Sequence, residues 1–118
     1  EKKKLGNLGE KLAQKNLLKK RYDILELNFF SQFGEIDIIA TKGNEIIFVE
    51  VKTRTSNIES ALSSVSFSKQ QKLHKTAQIF LSKNPKYSEY FTRFDVIAVV
   101  KNNNHYQIEH LEDAFRIY

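Results

Sequence analysis

The chain has 118 residues, 41% hydrophobic and 12% aromatic, with a formal net charge of +5. That length suits a single domain over residues 1–118, able to bury a core without a disulfide or structural metal. It contains no cysteine, which excludes a disulfide framework, a thiol nucleophile and a thiolate zinc site, and fits a reducing cytoplasm.

No apolar run approaches the ~20 residues that cross a bilayer, so no membrane association is expected. The Lys-rich start is not followed by the apolar stretch of a signal peptide. The chain opens at Glu1 and holds no Met, so the expectation is that the true N-terminus is missing. The basic excess has two readings, solubility or a polyanionic partner. It favours the partner if the bases gather near acids that do chemistry.

Residues 3–19 carry Leu5, Leu8, Leu12 and Asn16 at helical spacing, with Gly9 and Ala13 on the same side. Gly6 and Gly9 weaken that helix by up to about 1 kcal/mol each, and would be kept where its backbone lies close to something. Glu10 falls at the edge of the apolar stripe, where it reads either as a solvated charge or as a reaching carboxylate. Lys19, Lys20 and Arg21 suit the helix end. A strand follows over about Asp23–Phe30, and Ser31–Phe33 make a turn.

Two strands come next, about Glu35–Thr41 and Glu45–Thr53, joined through Gly43-Asn44. Glycine there supplies the positive φ of a tight hairpin. The loop fixes a register in which opposed residues sum to 87, so Asp37 faces Glu50 and Glu35 faces Lys52. Residues 54–66 are polar and Ser-rich and read as a loop with one turn of helix. Ser68 is the expected cap of a second helix, about Lys69–Lys83, which Asn84-Pro85 stops. A fourth strand over about Arg93–Lys101 is apolar enough to be covered on both faces. A fifth spans His105 to about Leu111, and a short terminal helix would hold Ala114 and Phe115. The expected fold is α/β: a mixed five-stranded sheet flanked by helices, in the order α-β-β-β-α-β-β.

Asp37 and Glu50 are the residues that chemistry would use. Each lies between β-branched neighbours, and like charges opposed across strands repel. A shared proton or a bound cation relieves this, and all-oxygen ligation suits Mg²⁺ or Mn²⁺. Lys52 shares the face of Glu50, about 6 to 7 Å along the strand, where it could orient water or hold a phosphate oxygen. The structural alternative pairs Glu35 with Lys52 and lets Arg54 balance the acids. Spacing alone leaves both open. Lys69, Lys72, Thr76 and Lys83 form one stripe on the second helix, with Lys69 nearest the apolar face. With Lys42 and Arg54, Lys69 and Lys72 are the candidate nucleic-acid contacts. His74, His105 and His110 lack metal-ligand spacing and read as structural or surface residues.

Gly9-Glu10, Gly34-Glu35-Ile36-Asp37, Phe48-Val49-Glu50-Val51-Lys52-Thr53-Arg54 and Arg93-Phe94-Asp95 together resemble the YraN-like family of bacterial proteins of uncharacterised function. That family looks like a branch of the PD-(D/E)xK, or restriction-endonuclease-like, superfamily, near archaeal Holliday junction resolvases. The resemblance covers about Gly6 to Phe115. It implies a three-layer restriction-endonuclease-like fold with the site where the hairpin splays. It also implies a metal-dependent nuclease acting on DNA, with branched or damaged DNA among the expected substrates. In that reading Asp37, Glu50 and the Val51 carbonyl ligate Mg²⁺ or Mn²⁺, and Lys52 positions the attacking water. Glu10 completes the site, as a ligand through water or as a partner of Lys52. The alternative is a nucleic-acid-binding module that keeps the fold without turnover. Related resolvases act as symmetric dimers, so a homodimer is a further expectation. Two positions depart from the family: Phe29 and Phe30 follow Asn28 where a basic residue is common, and Arg21 precedes Tyr22 where glycine is common.

Overall fold

The computed structural model describes residues 2–55, 59 and 65–116, with side chains from residue 7 onward. Helix α1 spans Lys2–Lys19, and strands β1 Asp23–Ser31, β2 Gly34–Lys42 and β3 Glu45–Arg54 follow. Helix α2 is Phe67–Lys83, a 3₁₀ turn covers Pro85–Tyr87, and β4 Phe91–Asn102 and β5 His105–Leu111 complete the fold. The sheet order is β1-β2-β3-β4-β5. Only β3 and β4 run parallel, joined by the crossover through α2; the other neighbours are antiparallel. Among the described residues no helix is long and apolar enough to cross a membrane.

Alternation along the strands divides the core into two layers. Ile38, Ala40, Ile47, Val49, Ile97 and Val99 pack with Ala13 and Leu17 of α1. Ile39, Ile46, Phe48 and Val96 pack with Leu73, Ala77 and Phe80 of α2. Burying each such aliphatic or aromatic side chain contributes about 1.5–3 kcal/mol, and both faces of β3 and β4 are therefore covered.

On α1 the buried line is Gly9, Ala13 and Leu17, while Leu8 stays 38% exposed. The helix stops on Arg21, whose φ is 69°. That is the left-handed geometry in which glycine ends helices at no steric cost, so the arginine before Tyr22 is accommodated at some strain. Helix α2 begins two residues earlier than expected. Its cap is Ser66 rather than Ser68, with Ser66 Oγ accepting from the Lys69 N–H at 3.2 Å. The terminal helix expected at Ala114 and Phe115 is absent: residues 114–116 have no regular structure. Ala114 N–H instead donates to the Phe94 carbonyl at 2.7 Å, and Phe115 stacks on Phe94. Most of the Ser-rich loop, the side chain of Leu5 and the surroundings of Gly6 lie outside the described residues.

Gly9 shows why α1 can sit so close to the sheet. A Cβ there would collide with Thr53 Oγ1 and meet Thr53 Cβ at 3.1 Å. Gly9→Ala should therefore lose about 1–3 kcal/mol of stability through overpacking, despite the ~1 kcal/mol that alanine gains in helix propensity. Urea unfolding of Gly9→Ala alone and combined with Thr53→Ala checks this. The second change should recover much of the loss; an equal cost in both backgrounds would rule out the contact as its cause.

Candidate functional site

The hairpin pairs as its turn dictates, through Lys42↔Glu45, Thr41↔Ile46, Ala40↔Ile47, Ile39↔Phe48 and Ile38↔Val49. Gly43, at φ 60°, supplies the positive torsion. The ladder then ends, one step before Asp37 and Glu50 would pair. In its place Asp37 Oδ2 accepts from the Val51 N–H at 2.8 Å. A strand residue directs its N–H and C=O to the same side, so the Val51 carbonyl also turns towards Asp37.

Two further observations locate a distortion at the same point. Ile36 belongs to the α2-side cluster and Ile38 to the α1-side cluster, although alternate residues of a flat strand share a face; β2 turns over at Asp37. On β1, Leu27 pairs with Ile38 and Phe29 with Ile36. Asn28, between them and opposite Asp37, has φ 52°. Asparagine tolerates that conformation better than most residues.

The irregularity leaves Glu10, Glu35 and Glu50 near enough to Asp37 to act on its charge. Asn28 Nδ2 donates to Glu10 Oε1 at 3.1 Å and to Glu35 Oε1 at 2.7 Å. Thus α1 and β2 meet on one amide. Glu50 is 5% exposed, with Lys52 Nζ at 3.4 Å and Lys69 Nζ at 3.6 Å from its Oε2. Both separations exceed a tight charge-assisted hydrogen bond. Lys52 therefore pairs with Glu50, not with Glu35 as the structural alternative had it, and Glu10 meets Asn28 rather than Lys52. Burial, and then the nearby Glu50, push the Asp37 carboxyl up to about 8. The Val51 N–H pulls the other way, while Glu10 and Glu35 add to the rise.

The basic candidates divide. Lys69 reaches the acids from the first turn of α2. Lys72 lies on the same helix, its Cβ 4.0 Å from where a Cβ on Gly34 would stand. Arg54 ends β3 and donates to the Thr53 carbonyl at 2.8 Å. Lys42 is at the far end of the hairpin, its Nζ 4.9 Å from the centre of the Tyr22 ring. Thr76, expected on the basic stripe, is buried and bonds Ser31 Oγ at 2.8 Å. Asn28 was not among the candidates. Its only sequence signal is an asparagine opposite an acid, in a strand that otherwise alternates.

Among the described residues no group of three acid or imidazole side chains is close enough to cage an ion. Two carboxylates and a backbone carbonyl do suit Mg²⁺, which keeps several waters and takes one or two carboxylates beside substrate phosphate. A cavity of about 470 Å³ lies elsewhere, between Glu45, Phe91, Phe94 and Phe115. It shares no residue with the acid cluster. Its Arg93 is already bound by Asp95, Glu45 and Tyr22.

The model of "Uncharacterised protein family UPF0102" matches residues 9–99. A UPF0102 protein of Clostridium tetani is 43% identical over 118 residues, covering 98% of this chain and 96% of the relative. One from Caldanaerobacter subterraneus subsp. tengcongensis is 46% identical, covering 97% and 96%. One from Clostridium botulinum strain Loch Maree is 42% identical, covering 98% and 96%. The chain belongs to the UPF0102 family.

The raised Asp37 carboxyl fixes a sign for stability. Between the unfolded value near 4 and the folded value near 8, only the folded state holds this proton. Its contribution to stability is therefore present at low pH and is lost as pH rises through that window. In metal-free buffer, urea unfolding from pH 5 to 9 should show this decline. Asp37→Asn should flatten it and be the more stable form at pH 9; an unchanged slope in the variant would contradict the assignment.

Proposed function

We propose that this UPF0102 protein is a divalent-metal-dependent nuclease that hydrolyses phosphodiester bonds, with DNA as its substrate. The observation that carries the reading is Asp37, pushed up to about 8 beside the buried Glu50 and two lysines. Burial beside a like charge is a common way for functional sites to shift a carboxyl, and here it coincides with the end of the hairpin ladder and with Lys52 and Lys69 at Glu50. The hairpin splay and the mixed α/β sheet also agree with the resemblance to the PD-(D/E)xK superfamily.

Asp37, Glu50 and the Val51 carbonyl would hold Mg²⁺ or Mn²⁺, with Glu10 completing the site from α1. The ion supplies charge stabilisation on phosphate and leaving oxygen. The chain's own residues do the rest. The Val51 N–H fixes Asp37 through Oδ2 and leaves Oδ1 without a hydrogen bond among the described residues. Lys52 brings an ammonium to within 3.4 Å of Glu50 Oε2, where it can orient water or hold a phosphate oxygen. Lys69 adds a second cation at the opening of α2, a helix end whose dipole favours phosphate.

The test is cleavage of linear, nicked, flapped and four-way DNA with and without Mg²⁺ or Mn²⁺. Asp37→Ala, Glu50→Ala and Lys52→Ala should each lower the rate by roughly 10²-fold or more, with folding checked by circular dichroism. Cleavage surviving all three substitutions would contradict the site. Binding without cleavage under either metal would leave the chain a nucleic-acid-binding module.

A further inference from the structure

The end of β1 and the turn into β2 carry two solvent-accessible aromatic rings, Phe30 and Phe33. Phe30 is 69% exposed and Phe33 36%. Phe29 does the opposite, packing edge-on against Phe80 at 5.3 Å. Phe30 pairs with Glu35 across the strands, and Glu35 shares the Asn28 amide with Glu10. One ring thus borders the acid cluster. The turn is tied to α2 by the bond between Ser31 and Thr76, so its position is fixed.

Cations accompany the rings. Lys75 Nζ lies 5.2 Å from the Phe33 ring centre. Lys72 borders Gly34, and Lys69 reaches Glu50. Neither Lys72 nor Lys75 has an acidic partner among the described residues. The helix rise puts Lys69 and Lys75 about 9 Å apart along α2, the length of two to three stacked nucleotides at about 3.4 Å each.

A single exposed phenylalanine is ordinary on a protein surface. Two at one anchored strand end, beside Lys72 and Lys75 that have no acidic partner among the described residues and beside a phosphodiester-cleaving candidate site, match the combination that holds single strands: rings for base faces, cations for phosphates. A protein partner would be met by an apolar patch, which lysines interrupt. A duplex keeps its base faces stacked and offers the rings nothing.

We infer that the Phe30–Phe33 turn is a stacking platform for unpaired bases, so that the substrate class is single-stranded or locally unpaired nucleic acid rather than intact duplex. The inference rests on the nuclease reading for the role of the acids. The lysines take the phosphates on the α2 side, Phe30 takes a base on the β1 side, and Phe33 lies between them, against Lys75. The scissile phosphate then lies against Asp37 and Glu50.

Fluorescence anisotropy in EDTA separates binding from cleavage. The probes are a labelled oligo-dT and a duplex of equal length, titrated with the wild type, Phe30→Ala, Phe30→Tyr and Phe91→Ala. Phe91 is 66% exposed but pairs with Glu45, at the far end of β3 from Glu50. Phe30→Ala should weaken oligo-dT binding by about 5- to 100-fold, the range of one lost base stack, and change duplex binding less than twofold. Phe30→Tyr should retain the wild-type affinity, and Phe91→Ala should alter neither. Equal losses on both probes, or none, would overturn the platform. So would a change confined to self-association in analytical ultracentrifugation, which would make the turn a contact between copies. Wild type that binds neither probe defeats the nuclease reading itself; wild type that binds and cuts, with Phe30→Ala unaffected, defeats only this inference.

Discussion

The arrangement depends on one electrostatic problem: Asp37 and Glu50 stand opposite each other in a sheet whose neighbouring side chains are isoleucine and valine. Two ionised carboxylates there would repel in a medium that solvates them poorly. The chain does not remove the conflict. It stops the hairpin ladder one residue short, lends Asp37 the Val51 N–H, and brings lysines to Glu50 from β3 and α2. The remaining repulsion is held as a proton on Asp37. Exchange of that proton for a cation would relieve the same repulsion.

A second buried acid shows that the fold can settle such a charge when nothing else is asked of it. Asp95 is fully buried, which by itself disfavours its ionised form. Hydrogen bonds from His110, Arg93 and the Asp113 N–H outweigh that burial and hold the carboxyl below its ordinary range. Lys20 Nζ lies 3.0 Å from His110 Nδ1, and an ammonium can only donate. His110 Nδ1 therefore accepts, and Nε2 carries the hydrogen towards Asp95 at 2.6 Å. Every oxygen position of Asp95 is used, whereas Asp37 Oδ1 is left open. The same residue type shifts down where the site is structural and up where it is the candidate for chemistry.

Much of this was legible from local rules. Gly43-Asn44 demanded a tight turn, and the turn fixed a register that holds down to Ile38↔Val49. The order of helices and strands followed from periodicity, and the close approach at Gly9 from a glycine kept inside a helix. What sequence hid were long-range choices. Ser66 and Ser68 are equally good caps, and packing of α2 selected the earlier one. Ala114 and Phe115 read as helical, but the Phe94 carbonyl accepts the Ala114 N–H and holds them against the core without regular structure. Asn28 looked like an ordinary strand residue, because its role rests on carboxylates 18 residues before it and 7 after it. Lys42 counted as a basic contact by composition, yet strand length carries it away from the acids.

The central claim is that the Asp37–Glu50 pair is a cation site rather than a self-balanced charge cluster. Isothermal titration with Mn²⁺ addresses it most directly, independent of any substrate. The account predicts one ion per chain in the wild type, protons released on binding at pH 7 as Asp37 ionises, and loss of binding in Asp37→Asn. Absence of binding in the wild type, or binding unchanged in the variant, would contradict it.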